Sequence, residues 1–180
     1  MMKINKYIQH LKTILKHKAI VFSLMRKCGY GWQGFFHDSS KFSPTEFLSS
    51  ARYFQGNRSP IEREKEVLGY SKAWLHHKGR NKHHPEYWTD YSLPEKAIIM
   101  PYKYAAEMVC DKLAAGIVYN GKNWTKDTQI NYYMKEREKI LVHPKIDKFL
   151  IEIFTQVSKD GLDKTLTKEN IKETYKKYCN

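Results

Sequence analysis

His37 and Asp38 stand side by side, directly after Phe35-Phe36, and Lys41 follows three residues on. A second group, His76, His77, His83 and His84, falls within nine positions and shares them with Arg80, Asn81 and Lys82, with Glu86 close behind. Imidazole and carboxylate are the ligands that Zn²⁺, Mn²⁺, Fe²⁺ and Co²⁺ accept. A buried carboxylate needs a cation, and an imidazole beside it needs a defined partner. A bound metal satisfies both. The three cysteines, Cys28, Cys110 and Cys179, are too far apart for a zinc finger.

The elements that must position these groups read as helices. Residues 3–27 lack Gly and Pro, and His10, Ile14, His17, Val21, Leu24 and Cys28 recur at steps of three and four on one face. Cys28-Gly29-Tyr30-Gly31 ends that helix. A short return helix, 32–36, then delivers His37-Asp38. At 1.5 Å per residue, His17 lies roughly 16 Å from the turn and His37 about 9–10 Å. His17 is therefore the closer first ligand, and His10, about two turns further, a candidate for a second metal or for orienting a ligand. Ser43-Pro44-Thr45-Glu46 has the form of a capping box opening a helix to about residue 55. Ser59-Pro60-Ile61-Glu62 opens another, to Lys78, with Val67, Tyr70, Trp74 and His77 on one face and His76 about 100° away.

Residues 101–120 form the most apolar helix, which predicts a central, buried position. Asp111 falls between Tyr104, Met108, Ala115 and Val118 on its wheel and points inward. Further helices are predicted over 126–140, 145–159 and 168–178, and no run alternates as a strand does. The expected fold is a single all-α domain over 1–180, six to eight helices around residues 101–120.

A formal net charge of +13, from 32 Lys+Arg against 19 Asp+Glu, favours anionic partners. The three scattered cysteines suit a reducing compartment, and the N-terminal residues lack the apolar run of a signal peptide. No stretch nears the roughly 20 apolar residues of a membrane span. A cytoplasmic protein without membrane contact is the expectation. Nucleotide-fold glycine loops, Walker loops and serine-hydrolase elbows are missing from the sequence.

His17, then His37-Asp38 with Lys41, then Asp111, resembles the motif of the HD superfamily of metal-dependent phosphohydrolases. The segments HDSSKFSPTEF and WLHHKGRNKHHPEYW also resemble the signatures of an uncharacterised bacterial and phage family of small HD-like proteins, over about residues 7–125. The superfamily resemblance implies that His17, His37, Asp38 and Asp111 ligate one divalent ion. In two-metal members an adjacent histidine pair lies between the His-Asp and the last Asp, the place that His76-His77 holds here. One or two ions (Mn, Fe, Zn, Co or Mg) are expected, with Lys41 and Arg80 on the phosphate oxygens of an anionic, nucleotide-type substrate. Two other readings stand beside this. One is a di-iron HD-like oxygenase. The other is a non-enzymatic protein binding nucleic acid through Arg80, Lys82 and Trp88.

Overall fold

The computed structural model describes residues 2–180, with side chains from residue 5 onward. The fold is all-α, as the periodicities predict. The described residues form ten α-helices: α1 (Met2–Lys27), α2 (Gly31–Phe36), α3 (Pro44–Tyr53), α4 (Pro60–Leu68), α5 (Lys72–Lys78), α6 (Tyr102–Asn120), α7 (Thr128–Glu136), α8 (Pro144–Asp160), α9 (Leu162–Thr165) and α10 (Lys168–Cys179). The count exceeds six to eight because α9 is one added turn and the helix expected over 59–78 is two. Thr89 and Ala97 make an isolated bridge, the one β pairing among the described residues. No helix among them is long and apolar enough to cross a membrane.

The core lies where α1, α6, α8 and α10 meet. Ala105, Ala106, Val109, Cys110, Leu113 and Ala114 of α6 are fully buried against Val21 and Met25 of α1, Phe149, Ile153 and Phe154 of α8, and Ile171 of α10. The face predicted for α1 is buried along its whole length, from His10 and Ile14 through His17, Val21 and Leu24 to Cys28.

Three local features set the site. Helix α2 packs against α1 through Gly34, where an added Cβ would come within 2.7 Å of Met25 Cβ and 3.2 Å of the Phe22 backbone. The close approach brings His37 back beside His17. It also leaves the α2 rings outside: Trp32, Phe35 and Phe36 are 80%, 52% and 64% exposed. Asp38 itself sits in the left-handed region, φ 52°. Few residues other than Gly, Asn and Asp adopt that conformation readily.

The break at Gly69, φ 77°, ends α4. Ser71 then starts α5 afresh, its Oγ accepting from Trp74 N at 3.0 Å and donating to buried Glu64 Oε2 at 2.5 Å. Glu64 also accepts from Ser49 Oγ of α3 at 2.5 Å. One carboxylate thus ties α3, α4 and the start of α5 together. The break also corrects the face expected for a continuous helix. Val67 and Tyr70 are about half exposed, whereas His77 is 2% exposed.

Candidate metal centre

Four of the predicted ligands converge. His17 Nε2 lies 3.0 Å from Asp111 Oδ1 and 3.4 Å from His37 Nε2. His37 Nε2 is 3.3 Å from Asp111 Oδ1 and 3.2 Å from Asp38 Oδ2. Atoms that share one ion at about 2.1 Å stand about 3.0–3.4 Å apart in octahedral or tetrahedral arrangement, so these spacings suit a common cation. Helix α1 supplies His17, the turn after α2 supplies His37 and Asp38, and α6 supplies Asp111.

A second cluster shares Asp38. One ligand atom each of Asp38, His77, His83 and His84 lies within 4.8 Å of the other three. Asp38 Oδ1 is 3.3 Å from His77 Nε2 and 3.5 Å from His83 Nε2. The two oxygens of one carboxylate therefore face two different groups of imidazoles.

Hydrogen bonds do not satisfy these atoms. Both Asp38 oxygens, His83 Nε2 and His84 Nε2 are buried without a hydrogen bond. The Lys41 ammonium is 2.5 Å from Asp38 Oδ2 as an ion pair, yet no bond of good geometry forms. Buried lone pairs gathered in this way fit a cation and are costly without one. The donor set of imidazole and carboxylate suits Zn²⁺, Mn²⁺, Fe²⁺ or Co²⁺ rather than a thiolate-seeking ion.

Carboxylates behind the imidazoles fix their orientation. Glu107 Oε1 accepts from His37 Nδ1 at 2.8 Å and faces His83 Nδ1 at 3.4 Å. Glu46 accepts from His77 Nδ1 at 2.7 Å and from His76 Nδ1 at 2.6 Å. An ionised carboxylate only accepts, so Nδ1 of His37 and of His77 carries a proton, and Nε2 of each faces the centre. Burial opposes the charge on Glu107, but the bonds from His37 and His83 prevail and hold its pKa at about 2. Burial likewise opposes ionisation of Asp38 and Asp111, and their imidazole and ammonium neighbours bring both well below the usual carboxylate range. His84 is held well below the ordinary imidazole value, by burial first and then by His83 and His77, which leaves it neutral and able to ligate. Trp74 closes this side, its ring 4.9 Å from that of His84 and 6.0 Å from that of His77.

A cavity of about 190 Å³ adjoins the centre, with His17, Lys41, His77, His84 and Asp111 in its wall. It continues past Ile14, Ala115 and Val118 to His10, Ser50 and Tyr119.

The structure also separates the predicted residues. His76 turns its Nδ1 to Glu46 and stands outside both clusters. Adjacent helix positions diverge by about 100°, so the two neighbours take different tasks. Arg80 is exposed, bonds the His76 carbonyl at 3.2 Å and does not line the cavity. His10 belongs to the cavity rather than to either cluster. Trp88, considered for base stacking, instead packs against Tyr104 with ring centroids 5.7 Å apart. Sequence reasoning missed Glu46, which it assigned to a helix cap, and the ligand positions of His83 and His84.

This difference between neighbours is testable. His77→Ala is expected to reduce metal affinity at least tenfold, the range expected for a lost ligand or its orienting partner. His76→Ala removes one of two bonds to Glu46 and should act less than half as strongly on a logarithmic scale. Equal metal content in both variants, by elemental analysis of folded protein, would contradict the assignment.

An all-helical protein with two His-rich clusters joined by one aspartate is the class that fold and site define. Residues 6–156 match the family of unknown function DUF5662, and the chain belongs to that family. No protein of curated function and no solved structure matches the chain.

Proposed function

We propose that this protein is a metal-dependent phosphohydrolase of the HD type, acting on a phosphate ester. The observation that carries the reading is Asp38, whose Oδ2 and Oδ1 face His37 and His77 on opposite sides at 3.2 and 3.3 Å. His17, His37, Asp38 and Asp111 would hold one divalent ion, and Asp38, His77, His83 and His84 a second. Bound there, divalent metal supplies a lowered pKa for water and polarisation of a phosphoryl oxygen.

The chain's own groups perform the rest. Glu107 and Glu46 keep the imidazoles in the tautomer that leaves Nε2 free. Burial opposes the charge on Lys41, but Asp38 and Asp111 outweigh it, so its pKa is raised and it stays an ammonium. Its Nζ, in the cavity wall, binds a phosphate oxygen. The net charge of +13 draws an anion towards this opening. Water oxygen bonds to phosphorus, the ester P–O bond breaks, and the departing alkoxide takes up a proton and leaves as the alcohol.

The test is a panel of phosphomonoesters and phosphodiesters, nucleotides included, with Mn²⁺, Co²⁺, Zn²⁺ or Mg²⁺ added to metal-stripped protein. Release of phosphate that requires metal and disappears in Asp38→Asn supports the proposal. Two clusters sharing a carboxylate also suit two irons. An arm with Fe²⁺ in air, followed by oxygen consumption, therefore decides between hydrolysis and oxygenation.

A further inference from the structure

His10 has no role in either cluster, yet it is 5% exposed and forms part of the cavity wall. Its ring is held between Phe47 and Phe54, with centroids 5.5 and 5.2 Å away. Its Nδ1 is buried with no hydrogen bond. A buried N–H without a partner is rarer than a buried lone pair, so the proton belongs on Nε2. Burial first, and Lys41 second, lower its pKa to about 4, which makes the ring neutral near pH 7. A neutral imidazole in an aromatic clamp is a fixed donor of one hydrogen bond.

Seven residues along α1 separate it from His17, about 10 Å at 1.5 Å per residue. The wall includes Ile14, Ala115 and Val118, which offer carbon and no charge, and Thr13, Ser50, Ser59 and Tyr119, which add hydroxyls. The Lys41 ammonium is the one Lys or Arg side chain in the wall of the described cavity. That arrangement suits one phosphate, not a chain of them.

Size narrows the ligand further. An apolar cavity of about 150 Å³ accepts benzene, six non-hydrogen atoms. By that measure 190 Å³ holds about eight. Phosphate with its ester oxygen takes five atoms, which leaves about three for a short chain and its terminal group. A nucleotide exceeds this and fits only by extending out through the cavity's mouth.

We propose that His10 is a specificity determinant at the far end of the cavity, selecting a compact phosphate monoester whose short, uncharged carbon chain ends in a hydroxyl. The metal clusters and Lys41 take the phosphate, the aliphatic wall takes the chain, and His10 Nε2–H donates to the terminal oxygen. This rests on the phosphohydrolase reading for its chemistry, but the subsite itself can be read by binding alone.

The experiment compares ω-hydroxyalkyl phosphates with alkyl phosphates of equal length, two to five carbons, and with AMP. It uses metal-loaded wild type, His10→Leu and His10→Gln. The corresponding non-hydrolysable phosphonates are titrated calorimetrically in parallel. Wild type should favour the hydroxylated ester of two or three carbons by at least about tenfold in kcat/KM, mostly through KM. In His10→Leu the ratio should fall towards one with kcat on the alkyl ester retained, and His10→Gln, which keeps a donor, should restore part of it. Phosphonate affinities should follow the same order. A preference that survives His10→Leu, or AMP turned over as well as the short esters, overturns the proposal and leaves the hydrolase reading standing. Phosphonate binding that depends on His10, with no ester hydrolysed, supports the subsite and removes the hydrolase reading. Circular dichroism of both variants guards against misfolding, and if His10→Leu fails to fold, His10→Phe, which keeps an aromatic ring between Phe47 and Phe54 but removes the donor, takes its place.

Discussion

Asp38→Asn is expected to strip metal from both clusters at once, while His17→Ala and His84→Ala each affect one. The asparagine keeps the side-chain shape and tolerates the left-handed backbone at φ 52°. It removes the charge that both groups of imidazoles share. Losing an orienting partner alone costs roughly 10–100-fold in metal affinity, and a ligand common to two sites should exceed the upper end of that range. Elemental analysis after dialysis against a metal buffer gives the answer. Full occupancy in Asp38→Asn, or the same partial loss in all three variants, would mean that Asp38 does not join the clusters.

Chelation is the second large effect. Both Asp38 oxygens, His83 Nε2 and His84 Nε2 are buried without hydrogen bonds, and an ion satisfies them only in the folded state. At a metal concentration about 1,000 times Kd, binding to the native state alone adds about 4 kcal/mol. For a chain of 180 residues that amounts to a shift of roughly 10 °C in Tm. Differential scanning calorimetry with and without chelator should show it, with Tm rising as metal is titrated back. An unchanged Tm would imply that the clusters are satisfied without an ion. The effect should also fade on acidification, because protons compete with metal for each imidazole.

The helical fold and the first cluster were legible in the sequence because both depend on helical period. His17 follows from its place on the buried face of α1, and Asp111 from the wheel of α6, since each helix presents one face to the core. Glu46 was hidden by a local pattern. Ser43 does cap α3, accepting from Glu46 N at 3.4 Å, but the Glu46 carboxylate turns inward to His76 and His77 instead of returning to the cap. A capping box and a buried orienting carboxylate look alike until α5 is placed beside α3. Arg80 misled for the opposite reason. It lies among the histidines in sequence, but the turn after α5 carries it outward. Phe35 and Phe36 are apolar, yet Gly34 takes the inner face of α2 and leaves them in solvent.

Trp74, in ring contact with His77 and His84, has an optical consequence. Among the described residues it is the one tryptophan in ring contact with the histidine clusters; Trp32 packs edge-on against Phe35, and Trp88 packs against Tyr87 and Tyr104. Open-shell ions such as Mn²⁺, Co²⁺ and Fe²⁺ quench an indole at this range, and closed-shell Zn²⁺ and Mg²⁺ do so far less. The native emission of the chain therefore carries a built-in gauge of the His77–His84 side. Filling of the His17–Asp111 side, further from the indole, leaves a weaker trace. The order in which the two halves load can be followed in unlabelled protein, by the colour and intensity of its own light.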